Sequence, residues 1–329
     1  MQRLFLILTL ISAVLLFGCK STSYKKTDNG IIVDNIRLQP INDKVIQVSA
    51  IPKGEFSTEE SLITDPELTF SGDFTVSEDY EFVTLSTKEI DAKVSKATGE
   101  VSFFDKDGNI ILKEKNGGGK SFTPIEVDGT HGYTLHQVFE SPDNEAFYGL
   151  GQHQSDEFNY KGKNESLYQY NTKVSVPFVV SNKNYGILWD NYSWTKFGDP
   201  RDYSELNQFK LYDKDGNEGG LTATYTNENS GDRVIRKESV VSYEDLERIK
   251  EFPEGFSLNG AKVTWEGEIE SDKEGIHRFH IRYAGYTKIF VNNEEVVEER
   301  WRTAWNPNDY KFSYNLNASE SVPIRIEWE

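Results

Sequence analysis

From Gly30 to the last residue, apolar and polar residues alternate in short runs, and Gly, Asn, Asp or Pro closes each run. Alternation with period two puts apolar side chains on one face of a strand, and a helical period of 3.6 is nearly absent. The expected fold class is therefore all-β, built from antiparallel hairpins. Ile46, Val48 and Ala50 alternate with polar neighbours. Val101 to Phe104 runs into Asp105-Lys106-Asp107-Gly108-Asn109 before Ile110 to Leu112 resumes, which predicts a hairpin. The same five residues recur at Asp213 to Asn217. A calcium loop needs Gly at its sixth position and Glu at its twelfth, whereas this Gly falls fourth, where an Asp-Gly turn wants it.

Two apolar strands, Val174 to Val180 and Tyr185 to Trp189, meet at the Asn182-Lys183-Asn184 turn and read as central sandwich strands. Gly219-Gly220 marks a boundary near Glu218. Ser242 and Asp245 predict a short capped helix through Glu251, ended by Pro253. Beyond it Val263, Trp265 and Ile269, then Phe279, Ile281 and Tyr283, then Lys288 to Asn292, then Val322 to Trp328 spell further strands. The organisation read from this pattern is two antiparallel β-sandwich domains, residues 30–217 and 218–329. The second ends inside a strand whose end is expected to be unpaired, which reads as truncation.

Ahead of the sandwiches stands an export signal: Arg3, an apolar run from Leu4 to Phe17, then Gly18 and Cys19. The run is short for a bilayer span. Leu16-Phe17-Gly18-Cys19 resembles a bacterial lipobox, so residues 1–18 are expected to be removed and Cys19 to be lipidated, with residues 19–29 as a polar tether. This places the protein at a bacterial cell envelope, touching membrane through its lipid anchor alone. Cys19 is the sole cysteine, so the core has to carry stability without an intramolecular disulfide.

With 54 acidic against 36 basic residues the formal charge is -18, which repels nucleic acid, while a neutral sugar tolerates it. Sugar hydrolysis calls for two carboxyl groups held across one bond. Acidic residues are abundant, yet none stands in an apolar context that would single it out as a proton donor, so no catalytic residue is nominated. The five histidines show no metal-binding spacing; His277 and His280 are expected on opposite faces of one strand. Neither a metal nor a cofactor is expected.

Aromatic residues carry what binding signal there is, because flat rings cover the C–H face of a pyranose. Tyr148, Phe158, Tyr160, Tyr168 and Tyr170 cluster in one stretch, and Trp301 with Trp305 lies in a polar segment ending near Tyr310. Strand aromatics such as Phe178 and Trp189 are expected in the core. For Trp301 and Trp305, flanked by Arg300, Arg302, Asn306, Pro307 and Asn308, packing and exposure weigh equally.

Several ordered motifs now bear on identity: Phe147-Tyr148-Gly149-Leu150-Gly151-Gln152-His153-Gln154, Phe158-Asn159-Tyr160-Lys161-Gly162-Lys163, Gln169-Tyr170-Asn171-Thr172-Lys173, Val176-Pro177-Phe178, Tyr185-Gly186-Ile187-Leu188-Trp189-Asp190-Asn191 and Phe197-Gly198-Asp199. Together they resemble the N-terminal, galactose-mutarotase-like β-sandwich of glycoside hydrolase family 31, in its α-xylosidase branch. Residues 218–329 are similar to a protective-antigen-type domain inserted into members of that family. The resemblance implies a (β/α)8 catalytic barrel, holding the nucleophile and acid/base aspartates, for which this chain has no room. It implies a non-catalytic, carbohydrate-binding front portion of an enzyme that breaks down xyloglucan oligosaccharides by removing α-xylosyl units. Expected partners are such an oligosaccharide and a barrel encoded downstream. Phe158, Tyr160, Trp301 and Trp305 are the expected substrate contacts. A stand-alone surface glycan-binding lipoprotein and a purely structural envelope protein remain open alternatives. Tyr283-Ala284-Gly285-Tyr286 stands where calcium-holding versions of the inserted domain carry adjacent aspartates, so calcium is not expected there.

Overall fold

The computed structural model describes residues 22–329 apart from 59–60, 66–69, 71, 154–156, 170, 172, 200, 242–251 and 306. The export signal, Cys19 and the helix expected from Ser242 to Glu251 lie outside the described residues. The rest is antiparallel strand joined by turns, with one 3-10 turn at Leu206–Gln208. All-β architecture holds. The chain forms two compact units. One comprises the described residues up to Glu145 with Asn182–Tyr185, and the other comprises Ala146–Ser181 with Gly186–Glu329. The boundary read near Glu218 falls inside the second unit.

In the first unit, strands Lys25–Thr27, Gly30–Val33, Ile36–Asn42 and Val45–Ala50 follow one another in a meander. The polar stretch read as tether is thus already sheet at Lys25–Thr27, where Lys26 pairs with Ile31. A five-stranded meander runs Thr75–Glu78, Phe82–Ser86, Asp91–Ser95, Val101–Phe104 and Ile110–Lys113. Ile31, Val33, Ile36 and Leu38 of the first sheet share one core with Val83, Leu85, Ala92, Val94 and Val101 of the second. That shared core makes a sandwich from alternate residues, as period two requires. Asp105 closes the predicted hairpin: its carboxylate accepts from the backbone N–H of Asp107 and Asn109 and from the Asn109 side chain, and Gly108 takes φ +84°. That carboxylate is occupied by its own turn.

The second unit is dominated by a seven-stranded sheet. Its order is Arg233–Glu238, Leu221–Asn227, Ala261–Glu270, Ser321–Trp328, Gly285–Val291 and Glu294–Arg302, with Lys210–Tyr212 also on Ala261–Glu270. Strands Gly275–Tyr283 and Asn308–Leu316 pair as a separate layer. Phe279, Ile281, Phe312 and Tyr314 pack against the core of Leu221, Tyr225, Val263, Trp265, Ile289 and Ile324 in the large sheet. Phe279 stacks on Phe312 at 5.1 Å and on Phe209 at 5.3 Å. The last strand is not unpaired as expected: Ser321–Trp328 sits between two partners, and Glu329 exchanges backbone hydrogen bonds with Tyr286.

One carboxylate in this sheet serves three polar side chains. Glu238 accepts from the Trp265 indole at 2.6 Å, from the Tyr225 hydroxyl at 2.6 Å and from Arg236. Burying an indole and a phenol without such an acceptor would cost about 1–3 kcal/mol per group.

Candidate functional site

Residues 147–204 hold the motifs that carry the resemblance, and several of their side chains, Asn159, Asn164 and Gln169 among them, hydrogen-bond backbone groups. Strand Phe147–Gln152 breaks register against Val174–Ser181 between Gly149 and Gly151. Leu150, between them, has φ +64° and a fully buried side chain. A Cβ on Gly151 would meet the Val174 carbonyl oxygen at 2.0 Å, and one on Gly149 the Phe178 carbonyl oxygen at 2.6 Å. Gly-Leu-Gly is therefore a bulge that drives one leucine into the core, and both flanking positions exclude a side chain. The Leu150 carbonyl accepts from His153 Nε2 at 2.7 Å. His153 Nδ1 faces Glu165 Oε1 at 3.5 Å, and Glu165 also pairs with Lys173 at 3.3 Å.

Asp199, at the end of the Phe-Gly-Asp motif, is gripped by Arg201 through Nε and Nη2 and by Arg278 at 3.4 Å. Hydrogen bonds from Arg201, with the Arg278 charge beside them, hold its carboxyl below the ordinary range. Arg278 is buried on Gly275–Tyr283. It donates to the Arg201 carbonyl at 2.7 Å, the Tyr203 hydroxyl at 2.9 Å and the Gly162 carbonyl at 3.3 Å. Lys163 donates to the Lys311 carbonyl while Lys311 donates to the Asn164 carbonyl. This lattice fastens residues 162–164 together with Asp199, Arg201 and Tyr203 to the layer of Gly275–Tyr283 and Asn308–Leu316. His280 shares that outer face, 3.2 Å from Asp309, while His277 lies inward against Phe209, so the two point apart as expected.

The carboxylates buried deepest are all engaged. Glu100 accepts from Gly117 N, Glu114 from Val101 N and Lys120, and Glu145 from Ser141 Oγ and Tyr185 Oη. Glu165 and Asp213 complete the set, Asp213 repeating the Asp105 turn with Asp215 and Asn217.

Of the four aromatic candidates, three present open rings. Trp305 is 87% exposed, Phe158 83% and Trp301 52%. Tyr160 does not: it is 5% exposed, in a small core with Leu150, Leu167 and Val179, so it has no face to offer a sugar. Phe158 lies against Tyr148 with centroids 5.2 Å apart. Trp301 lies directly across from Tyr286 in the Gly285–Val291 and Glu294–Arg302 ladder, with centroids 6.3 Å apart. Arg300, beside Trp301, stacks its guanidinium on Tyr310 at 3.7 Å. Thr303 Oγ1, on the loop that carries Trp305, and Asn308 Nδ2, at the start of the strand that follows, are buried without a hydrogen-bond partner among the described residues. No ring contact among the described residues joins Phe158 to Trp301 or Trp305. Sequence reading missed Tyr192 and Trp194, both well exposed, with Lys196 over the Trp194 ring at 5.4 Å. Their polar neighbours, Asn191 and Ser193, were the available signal.

Comparison with known proteins agrees with this arrangement. The model of the glycosyl hydrolase 31 N-terminal galactose mutarotase-like domain matches residues 35–198, and that of the PA14 domain matches residues 217–329. The α-xylosidase of Saccharolobus solfataricus is 32% identical over 171 residues, 48% of this chain and 22% of its own. An uncharacterized family 31 glucosidase of Pseudescherichia vulneris is 29% identical over 176 residues, 47% of this chain and 32% of its own. Among solved structures, the GH31 α-xylosidase of Xanthomonas citri aligns over 92% of this chain and 32% of that one, with 38% identity and a TM-score of 0.75. The chain spans about a third or less of the length of these relatives.

Proposed function

Because the chain carries the N-terminal domain of glycosyl hydrolase 31 followed by a PA14 domain, we propose that it is the carbohydrate-contacting front portion of an α-xylosidase-like enzyme, acting on α-xylosylated oligosaccharides of the xyloglucan type. Hydrolysis is assigned to a catalytic barrel outside these 329 residues, and holding the oligosaccharide to this chain. The observation that carries the reading is the exposure of the Trp301 and Trp305 rings on one edge of the second unit. An indole open to solvent gains by covering the apolar face of a sugar ring, and an amide or hydroxyl nearby can take its hydroxyls. Phe158, paired with Tyr148, is a second contact point.

The surrounding charge supports a neutral ligand. A chain of net charge -18 repels a polyanion and leaves a neutral glycan unaffected. Lipidation of Cys19 would hold the protein at the cell envelope, where such oligosaccharides arrive from outside. Calorimetric titration of the purified chain with a xyloglucan heptasaccharide tests the reading. Trp301→Ala and Trp305→Ala should each weaken binding about two- to tenfold, the range for losing one stacked ring. Equal affinity in the parent and both variants would remove these residues from the site.

A further inference from the structure

Trp301 faces outward because its strand carries one residue more than its partner. In the ladder of Gly285–Val291 against Glu294–Arg302, Ile289 lies opposite Val297 and Thr287 opposite Arg300. Two steps on one strand are matched by three on the other, which is a β-bulge. Glu298 and Glu299 are accordingly both exposed, and alternation resumes beyond them with its parity reversed. Val297, Arg300 and Arg302 turn inward, and Trp301 turns outward beside Tyr286. In a ladder without the extra residue, Trp301 would share the face of the fully buried Val297.

Reversed parity has to be held, because Glu294–Arg302 is the last strand of its sheet and has a neighbour on one side alone among the described residues. Arg300 supplies the hold. Its side chain, 13% exposed, reaches from the large sheet to the facing layer and lays its guanidinium on the Tyr310 ring at 3.7 Å. Tyr310 is itself fixed: it pairs with Ile281, packs against the core of the unit and has the Lys163 ammonium 5.5 Å from its ring. Lys163 also donates to the carbonyl of the next residue, Lys311. A cation over an aromatic face is attracted by the ring, and at a mostly buried site that attraction is little screened.

We propose that Tyr310 is a positioning residue for glycan binding: by holding Arg300 it fixes the strand beyond the bulge in the parity that presents Trp301 to the sugar, without touching the sugar itself. The proposal deepens the glycan reading above and rests on it. All the residues involved belong to the second compact unit. Lys163 lies in the stretch matched by the glycosyl hydrolase 31 domain and Arg300 in that matched by PA14, so one ring ties the Trp301 contact to both.

Tyr310→Phe keeps the stacking face, whereas Tyr310→Leu keeps apolar bulk for the core and removes that face. With fluorotryptophan incorporated in the whole chain, and the Trp301 resonance assigned by its loss in Trp301→Phe, Tyr310→Leu should displace that resonance and Tyr310→Phe should leave it in place. In calorimetric titration with the xyloglucan heptasaccharide, Tyr310→Leu should weaken binding about two- to tenfold, as Trp301→Ala does, and Tyr310→Phe should bind like the parent. Tyr310→Leu combined with Trp301→Ala should bind no more weakly than Trp301→Ala alone, because the positioned ring is already gone. An unmoved Trp301 resonance in Tyr310→Leu, an additive loss in the double variant, or a Phe variant as impaired as the Leu variant would each overturn the proposal. If Tyr310→Leu does not fold, Arg300→Met removes the same stack from the strand side and is read in the same way. A parent that binds no heptasaccharide overturns the glycan reading and the binding role with it, while the fluorine resonance separately decides whether Tyr310 sets the placement of Trp301.

Discussion

Single residues in this protein are constrained first by backbone geometry. Gly151 shows this most directly, since its φ of +96° and the Val174 carbonyl leave no room for a methyl group. Gly151→Ala should cost about 1–3 kcal/mol, measured as a shift of the urea midpoint at constant slope. An unchanged midpoint would mean the bulge can relax. Asp213 is constrained by charge: backbone hydrogen bonds from Asn217, then Lys237, hold its carboxyl at about 2, under the ordinary 3.8. A carboxyl depressed in the fold contributes stability that is complete above its unfolded pKa and is lost as pH falls through the folded one. Stability should therefore drop between about pH 4 and 2, and Asp213→Asn should flatten that segment of the midpoint-versus-pH curve. Parallel curves for parent and variant would end the assignment. Both positions were legible in part. The Asp-x-x-Gly-Asn turn reads from spacing, whereas the carbonyl facing Gly151 belongs to a strand over twenty residues away.

Elements are held to one another by a few buried polar hubs. Arg278 serves four groups from two separate stretches of chain, so Arg278→Ala should destabilise the second unit by about 1–3 kcal/mol, through the Arg201 and Gly162 carbonyls and the Tyr203 hydroxyl deprived of that donor, Asp199 keeping Arg201. Arg278→Lys should rescue little, since an ammonium cannot reproduce the planar fork. Comparable thermal melting for the lysine variant and the parent would reduce Arg278 to a simple counter-charge. Glu238 plays the same part within the large sheet, where Glu238→Leu would leave the Trp265 indole and the Tyr225 hydroxyl without that acceptor. The strands themselves were readable from alternation, including Ala261–Glu270, Gly275–Tyr283 and Ser321–Trp328. The hubs were not, because an arginine on a strand looks alike in sequence whether it meets water or an aspartate brought in from residue 199.

At the scale of the whole molecule, the lipidation proposed at Cys19 is a separate matter from the fold. Cys19→Ser should move the protein from the membrane fraction to the soluble fraction on cell lysis, and an undisturbed membrane fraction would rule out lipidation at that residue. Antiparallel β-architecture, the two acidic turns and the family to which residues 35–198 are similar were all determined by the sequence alone, since periodicity, turn chemistry and ordered motifs are local properties of a string. Tertiary structure decided the rest: Tyr160 went inside while Phe158, Trp301 and Trp305 stayed open, and Phe178, read as core, kept 40% exposure. It decided too that residues 146–181 group with the strands after Gly186 rather than with the sandwich before them. The physical reason is that burial depends on which distant surface arrives to cover a side chain. Alternation specifies a face, and only packing determines which of the two faces is covered.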